Sequence, residues 1–163
     1  MNNNKKLYII RHAKAETIPG ITDFDRALTS EGIEEIKKLA LNLAQQISLD
    51  DNSLVISSAA KRTLQTTQIV LDTLKEPAFP VKEEPSIYEC TYKHLLSVIN
   101  KVPDTVDKII LVGHNPTLSD LIEYLTRTPA YLRTAELAEL ELDNGFTFEM
   151  LTGNTASLIR KIR

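Results

Sequence analysis

Cysteine is almost absent from this chain: Cys90 is the only one in 163 residues. A single thiol closes no internal disulfide, so the fold must be held by its apolar core, and a reducing, cytoplasmic setting is expected. Tryptophan is missing altogether, and glycine and proline number only five and seven. No repeat, low-complexity tract or linker-like segment breaks the chain. No apolar run approaches the ~18 residues of a membrane span. The start, Met1 to Lys6, leads into only four apolar residues, too few for a signal peptide. Basic excess is lacking too; the formal net charge is −3, which argues against a general nucleic-acid binder. With three histidines, one cysteine and no His-Glu-x-x-His or paired-cysteine spacing, little is offered to a metal. What is present is an ordinary globular balance, 42% apolar and 25% charged residues, enough for a single domain over 1–163 with a real core.

Leu7-Tyr8-Ile9-Ile10 reads as a short buried strand, and it runs directly into Arg11-His12. Packing gives no reason to end a buried strand on that pair. In an open α/β sheet, ligands bind beyond the carboxyl ends of the strands. Residues 53–56 form a second run with β-branched side chains, ending on Ser57-Ser58. A helix over about 59–74 follows, with Leu64, Val70, Leu71 and Leu74 as core and Arg62 in its first turn. A cation there opposes the helix dipole, and makes better sense with an anion in front of it. Residues 108–112, Lys-Ile-Ile-Leu-Val, give the strongest strand signal and read as a central parallel strand covered on both faces. They end in Gly113-His114-Asn115-Pro116, where Asn at the N-cap and Pro at the first helical position start a helix reaching about Arg127.

The rest is scaffold. Residues 14–28 are a loop. Thr29 or Ser30 caps a helix with Ile33, Ile36, Ala40, Leu43 and Ile47 inward, in which Gly32 is a poor fit. An edge strand is possible near 79–81. A helix over about 91–102 turns Leu95, Leu96, Ile99 and Val102 inward. Asp143-Asn144-Gly145 between 137–142 and 146–151 predicts a hairpin, and the tail 156–163 fits no single element. Alternating strands and helices predict an α/β domain with a mostly parallel central sheet and helices on both faces.

Three strand ends thus bring Arg11-His12, Ser57-Ser58 with Arg62, and Gly113-His114-Asn115 to one edge. Two arginines and two histidines there make a phosphate site, because arginine stays charged and grips phosphate oxygens as a fork. Gly113 lets backbone approach an anion, and a helix starting at Asn115-Pro116 points free N–H groups at it. A neutral imidazole can attack phosphorus and become a phosphohistidine, with no metal or cofactor required.

The segments Arg11-His12-Ala13-Lys14-Ala15, Ser57-Ser58-Ala59-Ala60-Lys61-Arg62-Thr63 and Val112-Gly113-His114-Asn115-Pro116 resemble the histidine phosphatase superfamily, and best its short SixA-like phosphohistidine phosphatases. The resemblance runs almost end to end, through Asp23-Phe24-Asp25-Arg26-Ala27-Leu28-Thr29 and Arg133-Thr134-Ala135. It implies the three-layer phosphoglycerate-mutase-like α/β fold, with His12 as nucleophile, Arg11 and Arg62 as phosphate clamps and His114 as a phosphate donor. It also makes Arg26 a supporting arginine at the rim. Ala13 departs from the Gly usual in the wider superfamily, and Ala59 from a common Pro. Glu89 falls at about the family position of the general acid, and Glu16 is a second candidate.

An alkoxide leaving group needs a proton from the enzyme, with help worth roughly a hundredfold or more. A phosphorylated imidazole leaves easily, since imidazole has a pKa near ~6.5. The chain also has no long insertion to form a lid. The expected substrate is therefore phosphohistidine on a phosphorelay or phosphotransfer protein, with no nucleic-acid or membrane partner. The alternatives are a small-molecule phosphomonoesterase, which needs Glu89 or Glu16 as acid, and a phosphoprotein-binding module without turnover. A receiver domain is disfavoured, because its first strand would end in acidic residues.

Overall fold

The computed structural model describes residues 3–163. Four strands run parallel: β1 (Lys6–Arg11), β2 (Ser53–Ser57), β3 (Val81–Glu83) and β4 (Lys108–Gly113). Two more, β5 (Leu137–Leu142) and β6 (Ala156–Ile162), add antiparallel beyond β1, and the sheet order is β3-β2-β4-β1-β5-β6. The continuous apolar runs of β1 and β4 make physical sense in this position, since both faces of the central strands are covered. Leu7, Ile9, Ile109 and Leu111 face a core shared with α3 (Tyr92–Ile99) and α4 (Thr117–Thr126). Tyr8, Ile10, Ile110 and Val112 face the opposite core, shared with α1 (Ser30–Ala44) and α2 (Lys61–Thr73). This alternation is the two-residue period of a strand serving two helical layers at once.

The helix starts are chemically specified. Thr29 Oγ1 accepts from Gly32 N at 2.9 Å to cap α1, and Thr91 Oγ1 accepts from His94 N at 3.2 Å to cap α3. Gly32, a poor fit by propensity, is explained by packing. Its missing Cβ leaves room for the backbone of Lys14, two residues past His12, and Thr29 N donates to the Lys14 carbonyl at 2.9 Å.

Several local expectations change. The hairpin is not formed by 146–151; the partner of β5 is β6, the tail segment. Asn144-Gly145 does turn, with Gly145 at φ +82°, but the chain then makes a longer excursion. Phe148 and Leu151 are buried in the α3/α4 core, and the Asn100 side chain donates to the carbonyls of Phe148, Glu149 and Leu151. Burial of that plug overrides the local turn signal. Along α2, Leu64 and Leu74 are only half-buried, and the inward face is Arg62, Thr63, Thr66, Thr67, Val70 and Leu71. In α3, Val98 is buried and Leu96 only half-buried. α4 begins at Thr117, with Pro116 rather than Asn115 in the cap position.

Candidate active site

Sheet register sets the three junctions side by side. Arg11 lies opposite Gly113, and Ser57 opposite Val112, so β1, β4 and β2 end at one level. The segment after β1 is pinned on all sides. His12 N donates to the Gly113 carbonyl at 3.2 Å, Ala135 N to the carbonyls of Arg11 and His12, and Ala13 N to Thr66 Oγ1 at 3.1 Å.

His12 is buried, and its Nδ1 lies 2.7 Å from the Ala13 carbonyl oxygen. A carbonyl only accepts, so Nδ1 carries the proton and Nε2 keeps its lone pair. Burial, with the charges of Arg62, Arg11 and Arg26 added, pushes the pKa of His12 down to about 4, so it is neutral at pH 7. His114 stands with its ring centroid 5.4 Å from that of His12. Its pKa is lowered to about 3, first by burial and then by His12 and Arg62. Its Nδ1 faces Arg62 Nη2 at 3.4 Å and so accepts, which leaves Nε2–H to donate to Ser58 Oγ at 2.8 Å.

Arg62, buried on the first turn of α2, links the site. Its Nε is 3.4 Å from His12 Nε2. Its Nη1 donates to the Asp23 carbonyl at 2.6 Å and its Nη2 to Asp23 Oδ2 at 3.0 Å. The Asp23 carboxylate also accepts from the Tyr88 hydroxyl and from Arg26 Nη1 at 3.0 Å. These partners, the Tyr88 hydroxyl foremost, hold it well below the usual carboxylate range. Tyr88 stands edge-on to both Phe24 and His114 and forms one wall. Arg11 Nη1 donates to the Leu132 carbonyl at 3.0 Å and to Tyr131 Oη at 3.2 Å, while its buried Nε has no protein partner among the described residues. That leaves a buried donor without a partner, which is unusual in a folded protein.

His12, Arg11, Arg62 and His114 are thus brought together as the strand ends suggested. Arg26 reaches the site only through Asp23; its Nε donates to the Glu16 carbonyl at 2.7 Å. Ser57 is fully buried with its hydroxyl turned to the Ser58 carbonyl, and Ser58 is the serine that meets His114. Gly113 has its bare Cα against Leu118 rather than an open anion cradle; a Cβ there would lie 3.3 Å from Leu118 Cδ2. Asn115 is a brace: its Nδ2 donates to the Leu132 carbonyl at 2.7 Å and its Oδ1 accepts from Ser119 N and Oγ. Glu89 is exposed and, among the described residues, makes no hydrogen bond or ion pair. Asp23, Tyr88 and Thr66 were not read from sequence as site residues, and of the Ser57-Ser58 pair it is Ser58 that meets His114. Asp23 stood in the sequence only as the first residue of the resembling stretch through Thr29, and nothing local marks its reach to Arg62. No three His, Cys, Asp or Glu side chains cluster as metal ligands among the described residues, and no helix described is long and apolar enough to cross a membrane.

Two imidazoles beside two arginines at the carboxyl ends of the strands of a mixed α/β sheet are what this geometry defines. The model of the histidine phosphatase superfamily (branch 1) matches residues 7–98, and the chain belongs to that superfamily. An uncharacterised protein of Mycobacterium tuberculosis (strain CDC 1551 / Oshkosh) is 32% identical over 113 residues, 69% of this chain and 66% of that protein, so the match spans just under two thirds of the relative. A solved structure from Agrobacterium tumefaciens, assigned as a phosphohistidine phosphatase SixA, is 28% identical with a TM-score of 0.80 and 98% coverage of both chains. Another so assigned, from Nakamurella multipartitia, shares the fold at 22% identity, with a TM-score of 0.81, covering 96% of this chain and 94% of that one. The fold is SixA-like.

Proposed function

We propose that the protein is a phosphatase that works through a covalent phosphohistidine on His12 and removes phosphoryl groups from phosphohistidine on a partner protein. The observation that carries the reading is the state of His12. It is neutral, its Nδ1–H is held by the Ala13 carbonyl, and its Nε2 lone pair faces the guanidinium of a buried arginine. In the first step Nε2 attacks phosphorus, the N–P bond of the substrate breaks, and its electron pair returns to the leaving imidazole, which departs neutral because its other ring nitrogen already carries a proton. In the second, water attacks phosphorus, the P–Nε2 bond breaks with its pair returning to His12, and inorganic phosphate leaves. Arg62, Arg11 and His114 offset the charge on the equatorial oxygens. A dianion in the pocket favours the protonated form of His114, which makes its Nδ1 a donor. The scheme needs no metal.

The leaving-group side supports phosphohistidine over an alkyl phosphate. Glu89 is exposed and makes no hydrogen bond or ion pair among the described residues, and the Asp23 carboxylate, which contacts Arg62, is held ionised and holds no proton to give. The loops that build the site also expose Ile18, Ile21, Phe24 and Tyr131, an apolar rim suited to a protein surface. Hydrolysis of a phosphohistidine-bearing protein is to be compared with hydrolysis of an aryl phosphate, with His12→Ala as control. Faster turnover of phosphohistidine, abolished by His12→Ala, with an acid-labile phosphoenzyme trapped on the wild type, is expected. Faster turnover of the ester points to a small-molecule phosphomonoesterase, and activity that survives His12→Ala overturns the mechanism.

A further inference from the structure

The guanidinium of Arg62 has two edges, and they are used differently. Its outer edge, Nη1 and Nη2 together, is taken by one residue: the Asp23 carbonyl at 2.6 Å and Asp23 Oδ2 at 3.0 Å. Its inner edge, Nε and the second proton of Nη2, faces His12 Nε2 and His114 Nδ1, both at a long 3.4 Å. Contacts that long are weak, and an arriving oxyanion displaces them readily. The strong contacts are the ones an oxyanion on the inner edge leaves intact.

We propose that Asp23 is a positioning residue for phosphoryl transfer: it grips Arg62 end-on, so that the inner edge is presented as a preformed fork to a phosphoryl group lying between His12 and His114. This role rests on the phosphoryl-transfer reading of the same pocket. Asp23 is itself braced from three directions. Tyr88 donates to Oδ2, Arg26 Nη1 to Oδ1, and the short 3-10 turn Asp23–Asp25 is closed by Asp25 N to the Thr22 carbonyl at 3.0 Å. Arg26 is anchored in turn on the Glu16 carbonyl, within the stretch that leads away from His12. A long arginine side chain is ordered before substrate arrives, so less rotamer freedom is lost on binding.

A carboxylate beside a phosphate pocket is also a source of repulsion, and the two effects have opposite signs. Repulsion alone predicts that neutralising Asp23 tightens oxyanion binding; positioning predicts that it weakens it. Two guanidiniums, Arg62 and Arg26, lie directly on the Asp23 carboxylate and offset its charge, which leaves positioning as the larger effect.

The test is calorimetric titration of tungstate, a tetrahedral oxyanion, into the wild type, Asp23→Asn and Asp23→Glu, with kcat and KM and thermal unfolding measured on the same preparations. Asp23→Asn is expected to weaken tungstate binding by about tenfold and to lower kcat/KM at least as much, the loss of a charge-assisted pair on the clamp. Asp23→Glu, which keeps the carboxylate, is expected to recover part of both. Tungstate bound by Asp23→Asn as tightly as by wild type, or more tightly, overturns the proposal, as does a drop in unfolding temperature with binding unchanged. The titration needs no turnover, so it is readable whatever the substrate proves to be. A wild-type protein that binds no tungstate overturns the pocket reading itself, and this role with it.

Discussion

Gly32→Ala reverses an ordinary expectation. In a helix, alanine is favoured over glycine by up to ~1 kcal/mol, and less in a first turn. Gly32 is in the first turn of α1, so propensity alone predicts a small gain in stability. The structure decides otherwise. A Cβ on Gly32 falls deep inside the contact distance of the Lys14 carbonyl oxygen and 2.9 Å from Lys14 N. Both are backbone atoms, which cannot swing aside as a side chain does. Overpacking of this kind costs about 1–3 kcal/mol. Against the propensity gain, the net is a loss of about 1–2 kcal/mol, or a fall in Tm of roughly 2–8 °C for a chain of this size. The displaced backbone begins two residues after His12, and Ala13 supplies the carbonyl that holds His12 Nδ1. Turnover is therefore expected to fall together with Tm. Urea and thermal unfolding by circular dichroism, with kcat on the same protein, check this. A Gly32→Ala protein at least as stable as wild type and equally active refutes the reasoning.

Three further outcomes are expected. Burial holds the pKa of His12 down to about 4 and that of His114 to about 3, against ~6.5 in the unfolded chain, so below about 6.5 the unfolded chain binds more protons and stability falls as pH drops; the unfolding free energy from urea titrations should be lower at pH 4.5 than at pH 7.5 by about 2 kcal/mol or more, and a flat profile contradicts the neutral pair. Thr66→Val strands the buried Ala13 N–H, which is expected to cost about 1–3 kcal/mol and to lower kcat; Thr67→Val, whose Oγ1 only donates back to the Thr63 carbonyl, serves as the control and should leave kcat unchanged. Glu89→Gln should change turnover of phosphohistidine by less than about twofold, because a working general acid is worth roughly a hundredfold; a hundredfold loss would restore Glu89 as the acid.

The parts of the molecule that were legible in sequence are those where one cause dominates. β1 and β4 are continuous apolar runs because both their faces are covered, and no competing pattern fits so short a stretch. Arg11, His12, Arg62 and His114 stand out because polar chemistry at the ends of such strands has no packing explanation. β6 was hidden for the opposite reason. It is an edge strand in which only Ala156 and Ile162 are buried, so it carries almost no hydrophobic signal. The hairpin expectation failed because Asn144-Gly145 does form a turn, while Phe148 and Leu151 just beyond it are needed in the core. Asp23, Tyr88 and Thr66 act through contacts made across long sequence separations, 39 residues from Asp23 to Arg62, 65 from Asp23 to Tyr88 and 53 from Thr66 to the Ala13 N–H. Ordinary loop and helix residues by type, they become site residues only by placement.

The sheet order has a consequence for how the site comes into being. β1 and β2 do not pair with each other; β4 is wedged between them. During synthesis His12 and Arg62 are therefore made early, but β4, which sets them side by side, and His114 just after it, 52 residues beyond Arg62, come late. Before β4 inserts, α1 can pack on α2 and Asp23 can reach Arg62, but the sheet between β1 and β2 stays open, and filling it has an entropic cost repaid only when both ladders form at once. Oxyanion binding is thus a late gain in folding, and a chain truncated before Lys108 should bind no tungstate. His12 is made early, but the neighbours that complete its surroundings arrive last.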